Sequence, residues 1–549
     1  MKRIILFLLA SVVLQTQILS QTAQTPKFTH QDTLRGSITP ERSWWDLTYY
    51  HLYIVVNPAD STINGTNTVY YKVLTPASLM QIDLQPPLVL SKAVQNGKSL
   101  KIIRDGNAHF IELADKQETG SLNSVILYYG GKPKIATNPP WQGGITWKKD
   151  KNNLPFIASS CQGDGASLWW PCKDHMYDEP DSMLISVNVP ANLIDVSNGR
   201  LRKVETLKNK TKTYHWFVSN PINNYGVNIN IGDYVHFGEK FDGEKGVLDC
   251  DYWVLKDNLE KAKVHFKQVA QMLKAFEHWF GPYPFYEDSY KLVDAPYLGM
   301  EHQSSITYGN GYQNGYLGRD QSGTGWGDKW DFIIVHESGH EWFANNITYK
   351  DIADMWIHES FINYSESLFV EYYWGKDAGA EYVRGTRRSI RNDRPITGIY
   401  NVNYEGSGDM YPKGGNMFHT LRQIINDDTK WREILRGLNK DFYHQVVDGS
   451  QIENYISQKT GMELKPFFDQ YLRDIRIPVF EYFVKDNDLT FRWNSCVQRF
   501  NMPLKIWVSG SAKNINPSTR WTTVKLDSSN PEIIVDKDYY VAALNMMGR

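Results

Sequence analysis

Between residues 43 and 73 the chain reads SWWDLTYYHLYIVVNPADSTINGTNTVYYKV, rich in Tyr, Val, Ile and Thr and interrupted at Asn57, Pro58, Asn64 and Gly65. β-Branched and aromatic runs broken by turn formers predict strand–turn–strand structure. LNSVILYYG and MLISVNVP repeat the pattern, so an all-β domain is expected over 22–246. After VLDCDYWVL the period changes. Leu259, Ala262, Val269, Met272, Leu273, Phe276 and Phe280 recur at three-and-four spacing, predicting a helix over 258–280 that Gly281 and Pro282 stop. A strand is expected at 290–294, a glycine-rich segment at 309–327, and helices at 328–345 and 361–374. Further helices fill 414–474, one of them opened by Ser450 and Glu453 as a capping box. Beyond Pro478 the alternating runs VFEYFV, LTFRW, LKIWVSG, WTTVKL and EIIVD predict a small β-sandwich over 477–549. The expected architecture is multidomain α+β, with a mixed α/β unit at 247–476 between the two β units.

Length and charge narrow the picture. A chain of 549 residues exceeds one hydrophobic core. Its 59 basic and 61 acidic residues leave a formal charge of -2, which gives no electrostatic ground for nucleic acid or an anionic membrane as partner. The opening MKRIILFLLASVVLQTQILS places Lys2 and Arg3 before an apolar run, the pattern of a signal peptide ending near Ser20 or Gln21. That run is shorter than the ~20 residues needed to span a bilayer, so 1–21 is expected to be removed on export to a periplasmic or extracellular site. No other segment is long and apolar enough to span. Cys161, Cys172, Cys250 and Cys496 are too few for a disulfide scaffold and show no C-x-x-C spacing.

The chemistry starts at VHESGHEWF, residues 335–343. Positions i and i+4 share a helix face, so His336 and His340 can converge on one ion, with Glu337 in reach of its water. H-E-x-x-H on a helix is a zinc motif with its own general base. Catalytic zinc takes three protein ligands and keeps a fourth position open. The extended pattern ending in a third histidine fails at Phe343 and Asn346. Downstream, MWIHESFINYSES offers Glu359, nineteen residues after His340, with His358 and Glu366 as rivals. Glu366, two turns beyond Glu359, is better placed to hold a ligand imidazole.

HESGH followed by eighteen residues and Glu359 resembles the signature of the zinc aminopeptidases related to aminopeptidase N and leukotriene hydrolase. The resemblance implies a thermolysin-like catalytic domain and one Zn2+ per chain, held by His336, His340 and Glu359, with Glu337 as base. PYLGMEHQ is similar to the family's G-x-M-E-N, which implies that Glu301 binds the substrate's α-amine and that Gly299 and Met300 lie in the substrate-facing strand. His302 departs from the usual asparagine. DMYPKGGN is similar to Y-E-K-G, which gives Tyr411 the role of stabilising the tetrahedral intermediate; Pro412 replaces the glutamate, while Lys413 and Gly414 match. SSCQGDGASLWWPCKD resembles the segment whose glutamine, here Gln162, lines the first-residue pocket. Trp169, Trp170 and Pro171 are expected to pack between domains.

A fixed carboxylate beside the metal selects chain ends, because an acylated or internal amide leaves it desolvated and unpaired. The expectation is therefore an exported, three-domain zinc aminopeptidase acting on peptides with a free N-terminus. The large C-terminal helical domain of many family members, which carries the leukotriene enzyme's Arg-x-Lys anchors, has no counterpart before Arg549. A zinc endopeptidase and a non-catalytic binding protein on the same fold are the alternatives.

Overall fold

The computed structural model describes residues 26–527 and 531–548; the expected signal peptide lies outside the described residues. The N-terminal region is built on a long antiparallel hairpin, Trp45–Asn57 with Thr62–Val73, inside a ten-stranded sheet. Leu52, Ile54 and Val56 are buried along its first strand while intervening residues are only partly covered, as alternation requires. A four-stranded sheet, in the order Ile194–Ser197, Ile229–Gly232, Pro155–Ser160 and Gly144–Lys149, completes the region. Trp169 and Trp170 are fully buried in this region's own core, Trp170 edge-on to Tyr50 at 5.1 Å, instead of packing between domains.

Five strands form the next sheet: β1 (Tyr234–Gly243), β2 (Gly246–Leu255), β3 (Tyr290–Asp294), β4 (Gly299–Met300) and β5 (Ile306–Tyr308), in the order β1-β2-β3-β5-β4. The expected boundary at 246 falls inside the β1–β2 hairpin, whose ten-pair antiparallel register holds both strands in one sheet. β4 is the edge strand, antiparallel to β5.

The helices differ from the sequence expectation at their ends. The stretch 258–280 divides into Leu259–His265 and α1 (Gln268–Phe280). Phe266, at the break, is buried among Tyr252, Tyr308 and Tyr312. α2 (Phe332–Gly339) starts four residues later than expected, because Asp331 caps it by accepting from Ile334 N. Past His340 the chain leaves helical geometry, with Phe343 at φ -131°, ψ 87°. α3 (Trp356–Trp374) begins five residues earlier than expected. Every residue from Trp356 to Val370 is buried, so this segment carries no one-sided apolar stripe from which to read its start. α4 (Lys376–Thr386) and α5 (Pro412–Ile425) pack against it. Gly414 and Gly415 permit the α5–α3 crossing: a Cβ there would fall 2.0 Å from Ser360 Oγ and 2.3 Å from Asn363 Oδ1. The capping box of the helix Gly449–Thr460 is Asp448 with Gln451, not Ser450 with Glu453; Glu453 pairs with Arg473.

After Leu472 the described residues form a four-stranded sheet around Val479–Lys485 and Asp488–Asn494, and a three-stranded sheet around Leu504–Val508. Their apolar residues join the core of the helical region through Tyr471, Phe480, Trp493 and Phe500. The whole is a multidomain α+β molecule with a large N-terminal β-rich region followed by a helical segment. Among the described residues no helix is long and apolar enough to cross a membrane. The four cysteines are unpaired, and Cys161, Cys172 and Cys250 are buried.

Candidate active site

α2 and α3 run side by side and face each other through His336, His340 and Glu359. One ligand atom from each lies within 4.8 Å of the others. His340 Nε2 is 3.5 Å and His336 Nε2 3.8 Å from Glu359 Oε2. The opposite ring nitrogens are engaged: His336 Nδ1 lies 2.8 Å from Glu366 Oε1, and His340 Nδ1 3.1 Å from Phe343 O. Such outer contacts fix the tautomer that turns Nε2 toward an ion. The departure from the helix after His340 is what brings the Phe343 carbonyl back to that ring. Glu366 is itself held by Tyr382 of α4 at 2.7 Å and, more loosely, by Asn363 at 3.4 Å.

Glu359 Oε2 is fully buried and has no hydrogen-bond partner among the described residues. Two imidazole nitrogens and this carboxylate oxygen are the donor types of a three-ligand zinc site. Glu301, Glu337 and His340 form a second cluster of similar spacing. Both Nε2 atoms face the unpartnered Glu359 Oε2, so the His336–His340–Glu359 set fits an ion better. The rival His358 is turned away: its Nε2 accepts from Tyr349 N at 3.0 Å, and its ring lies 4.2 Å from that of Tyr349.

The site's charges are crowded. Burial, then repulsion from Glu301, Glu359 and Glu366, pushes the Glu337 carboxyl well above its usual range. Burial raises Glu301 to about 7 and Glu366 to about 8. It also raises Glu359, with Glu301 adding to the effect, lowers His336 to about 3 and holds His340 well below its usual value. Neutral imidazoles beside clustered carboxylates are what a divalent cation requires.

Glu301 follows β4 directly and is buried. Gln162 reaches it from the N-terminal region: its Nε2 donates to Glu301 Oε1 at 2.6 Å and to Glu359 Oε1 at 3.1 Å. Asn345 Nδ2 donates to the Glu301 carbonyl at 2.9 Å. Gly299 lets β4 lie against α2, since a Cβ there would meet Ile333 Cγ2 at 2.6 Å and Glu337 Cγ at 3.3 Å. Met300, by contrast, is buried in the N-terminal core. Tyr411 precedes α5, with Pro412 as its first residue, and its ring lies 6.1 Å from that of His336. The His302 ring is fully buried, and neither nitrogen has a partner among the described residues.

Gln162, Gly299, Glu301, His336, Glu337, His340, Glu359, Glu366 and Tyr411 line one cleft of about 540 Å³, whereas Met300 and His302 are not in its lining. Sequence reading missed several of its supports. Arg35 donates to the carbonyls of Gly163 and Asp164 and so holds the Gln162 loop. Pro140 and Trp141 of the N-terminal region, and Tyr316, Ser389 and Arg391, complete the walls. None sits in a motif, and only folding makes them neighbours.

An H-E-x-x-H helix joined to a glutamate on the next helix defines a metallopeptidase-type centre. Residues 264–471 match the Peptidase family M1 domain. The chain is similar to aminopeptidase N of Lactococcus lactis subsp. lactis, 26% identical over 80% of this chain and 52% of that one. It is 22% identical to endoplasmic reticulum aminopeptidase 1 of Rattus norvegicus, over 72% of this chain and 44% of that one. The chain thus spans about half the length of these relatives. Its fold is like that of an M1 zinc metallopeptidase from Deinococcus radiodurans, with TM-score 0.67 and 20% identity over 80% of this chain and 95% of that one. Residues 264–471 thus carry a peptidase family M1 domain.

Proposed function

We propose that this chain is a zinc-dependent aminopeptidase that removes the first residue of peptides. The observation that carries the reading is the Gln162 bridge, which ties the Glu301 carboxylate to the Glu359 carboxylate and so sets an ammonium site one side chain's width from the metal site. His336, His340 and Glu359 would hold the zinc, which when bound supplies Lewis acidity for water and for the first carbonyl. Glu301 accepts the substrate's α-ammonium, and Gln162 orients it. The open edge of β4 pairs with the extended peptide backbone, a strand added to a sheet edge. Glu337 takes a proton from the attacking water and returns it to the leaving amine. The Tyr411 hydroxyl donates to the carbonyl oxygen as negative charge develops there; burial and nearby carboxylates keep this phenol protonated. In this reading the five-stranded sheet with its helices is a thermolysin-like catalytic unit, and the two last sheets are a small β-sandwich. The names of the relatives above support the same activity.

The test compares a free peptide with its N-acetylated form, in the wild type and in Glu301→Gln, each with chelator and zinc add-back. The free peptide should be cut at least about a hundredfold faster, since acetylation leaves a buried carboxylate unpaired. Glu301→Gln should lose most of that advantage. Equal wild-type rates on the two peptides would instead describe an endopeptidase.

A further inference from the structure

Four glutamates line the cleft, namely Glu301, Glu337, Glu359 and Glu366, and Arg391 is the one Lys or Arg among the described lining residues. Its guanidinium is exposed and has no hydrogen-bond or ion-pair partner among the described residues. The backbone around it is nevertheless fixed. Arg391 N and Asn392 N donate to the Asp409 carboxylate at 2.9 and 2.5 Å, and Asp409 belongs to the turn Gly408–Met410 that leads into Tyr411. Nearby, Arg388 donates to the Gln321 carbonyl at 2.9 Å, joining this segment to the glycine-rich loop. Arg391 therefore lines the cleft from a backbone tied to the turn before Tyr411, together with Tyr316 and Gln321. Tyr316 meets Phe332 edge-on at 5.4 Å, and Phe332 stacks on His336 at 5.0 Å. The α-amine site of Gln162 and Glu301 lies against Glu359 in the same cleft.

On the aminopeptidase reading, on which this inference rests, a peptide anchored by its amine at Glu301 passes the metal site and leads its remaining residues toward Arg391. A carboxylate arriving there meets repulsion from four glutamates and can be accepted only beside a fixed cation. We propose that Arg391 is a specificity residue that binds a carboxylate on the leaving-group side of the cut bond. The bond is a charge-assisted, potentially bidentate hydrogen bond. Two sources carry that chemistry: the C-terminus of a short peptide, and an acidic side chain following the cut bond.

The experiment measures kcat/KM for the free acids Leu-Ala and Leu-Ala-Ala against their C-terminal amides, and for Leu-Glu-amide against Leu-Gln-amide. Each pair is run with wild type, Arg391→Ala and Arg391→Lys at neutral pH. The wild type should favour the carboxylate-bearing member of at least one pair by about tenfold. Arg391→Ala should bring that ratio close to one, and Arg391→Lys should keep part of it. A preference in the first pairs assigns the C-terminus, and one in the last pair assigns the side chain. Ratios near one in the wild type, or ratios that Arg391→Ala does not change, overturn the inference and leave the aminopeptidase reading standing. Failure of the wild type to cut any of these unblocked substrates overturns both.

Discussion

The two ends of the cleft are built in different ways. The metal end comes from two adjacent helices and 31 consecutive residues, 336–366. Its geometry follows from helical repeats, and its supports, Glu366 and the Phe343 carbonyl, lie close in sequence to what they support. The amine end is assembled from distant pieces: Gln162 and Glu301 are 139 residues apart, and Arg35, which steadies the Gln162 loop, comes from the helix His30–Gly36. One end depends on local structure, the other on the fit between two large regions. Substitutions near the metal should therefore act on metal affinity and turnover, and those near the amine on recognition of the chain end.

The largest expected effect lies at the metal end. Glu366→Gln removes the anionic partner of His336 Nδ1 and should weaken zinc binding about 10–100-fold. Competition with a chelator reads this directly, while the ratio of free to acetylated substrate should stay as in the wild type. A change in that ratio would mean that the two ends are not separable.

Acid should act on the N-terminal side. Burial first, then the Arg42 charge, lowers the buried His175 from 6.5 to about 3, while its Nε2 lies 3.3 Å from the Gly36 carbonyl. Below pH 6.5 the unfolded chain takes up this proton and the folded chain does not. Stability is therefore complete above about 6.5 and falls as pH drops toward 3. At pH 5 the loss from this group is about 2 kcal/mol. Thermal unfolding at pH 7.5 and 5, compared between wild type and His175→Gln, measures it; parallel losses in both proteins would remove His175 from the account.

The smallest effect is expected from Arg35→Ala. Freeing the Gly163 and Asp164 carbonyls should loosen the Gln162 loop and raise KM for free peptides about three- to tenfold, with kcat little changed. An equal fall in kcat at constant KM would place Arg35 in support of the metal end instead.

How much could be read in advance follows the same division. His336, Glu337 and His340 could be singled out because helical spacing translates directly into direction, whereas Glu359 was set above its rivals His358 and Glu366 with the help of the resemblance. Glu301, Gln162 and Tyr411 could be picked out only by resemblance, since a lone glutamate, glutamine or tyrosine carries no geometry of its own. The start of α3 was misread because a helix buried on every side shows no polar face, and the cap at Asp448 was missed by two residues because Ser450 and Glu453 offer the same spacing.

The order of residues alone determined which short segments become helix or strand and which imidazoles share a helix face, because backbone periodicity is a local property. Only the tertiary structure decided that Gln162 bridges two carboxylates and that Arg391 lines the cleft with no side-chain partner among the described residues. Those outcomes depend on how separate surfaces close on one another, and that closeness is written in no single stretch of chain.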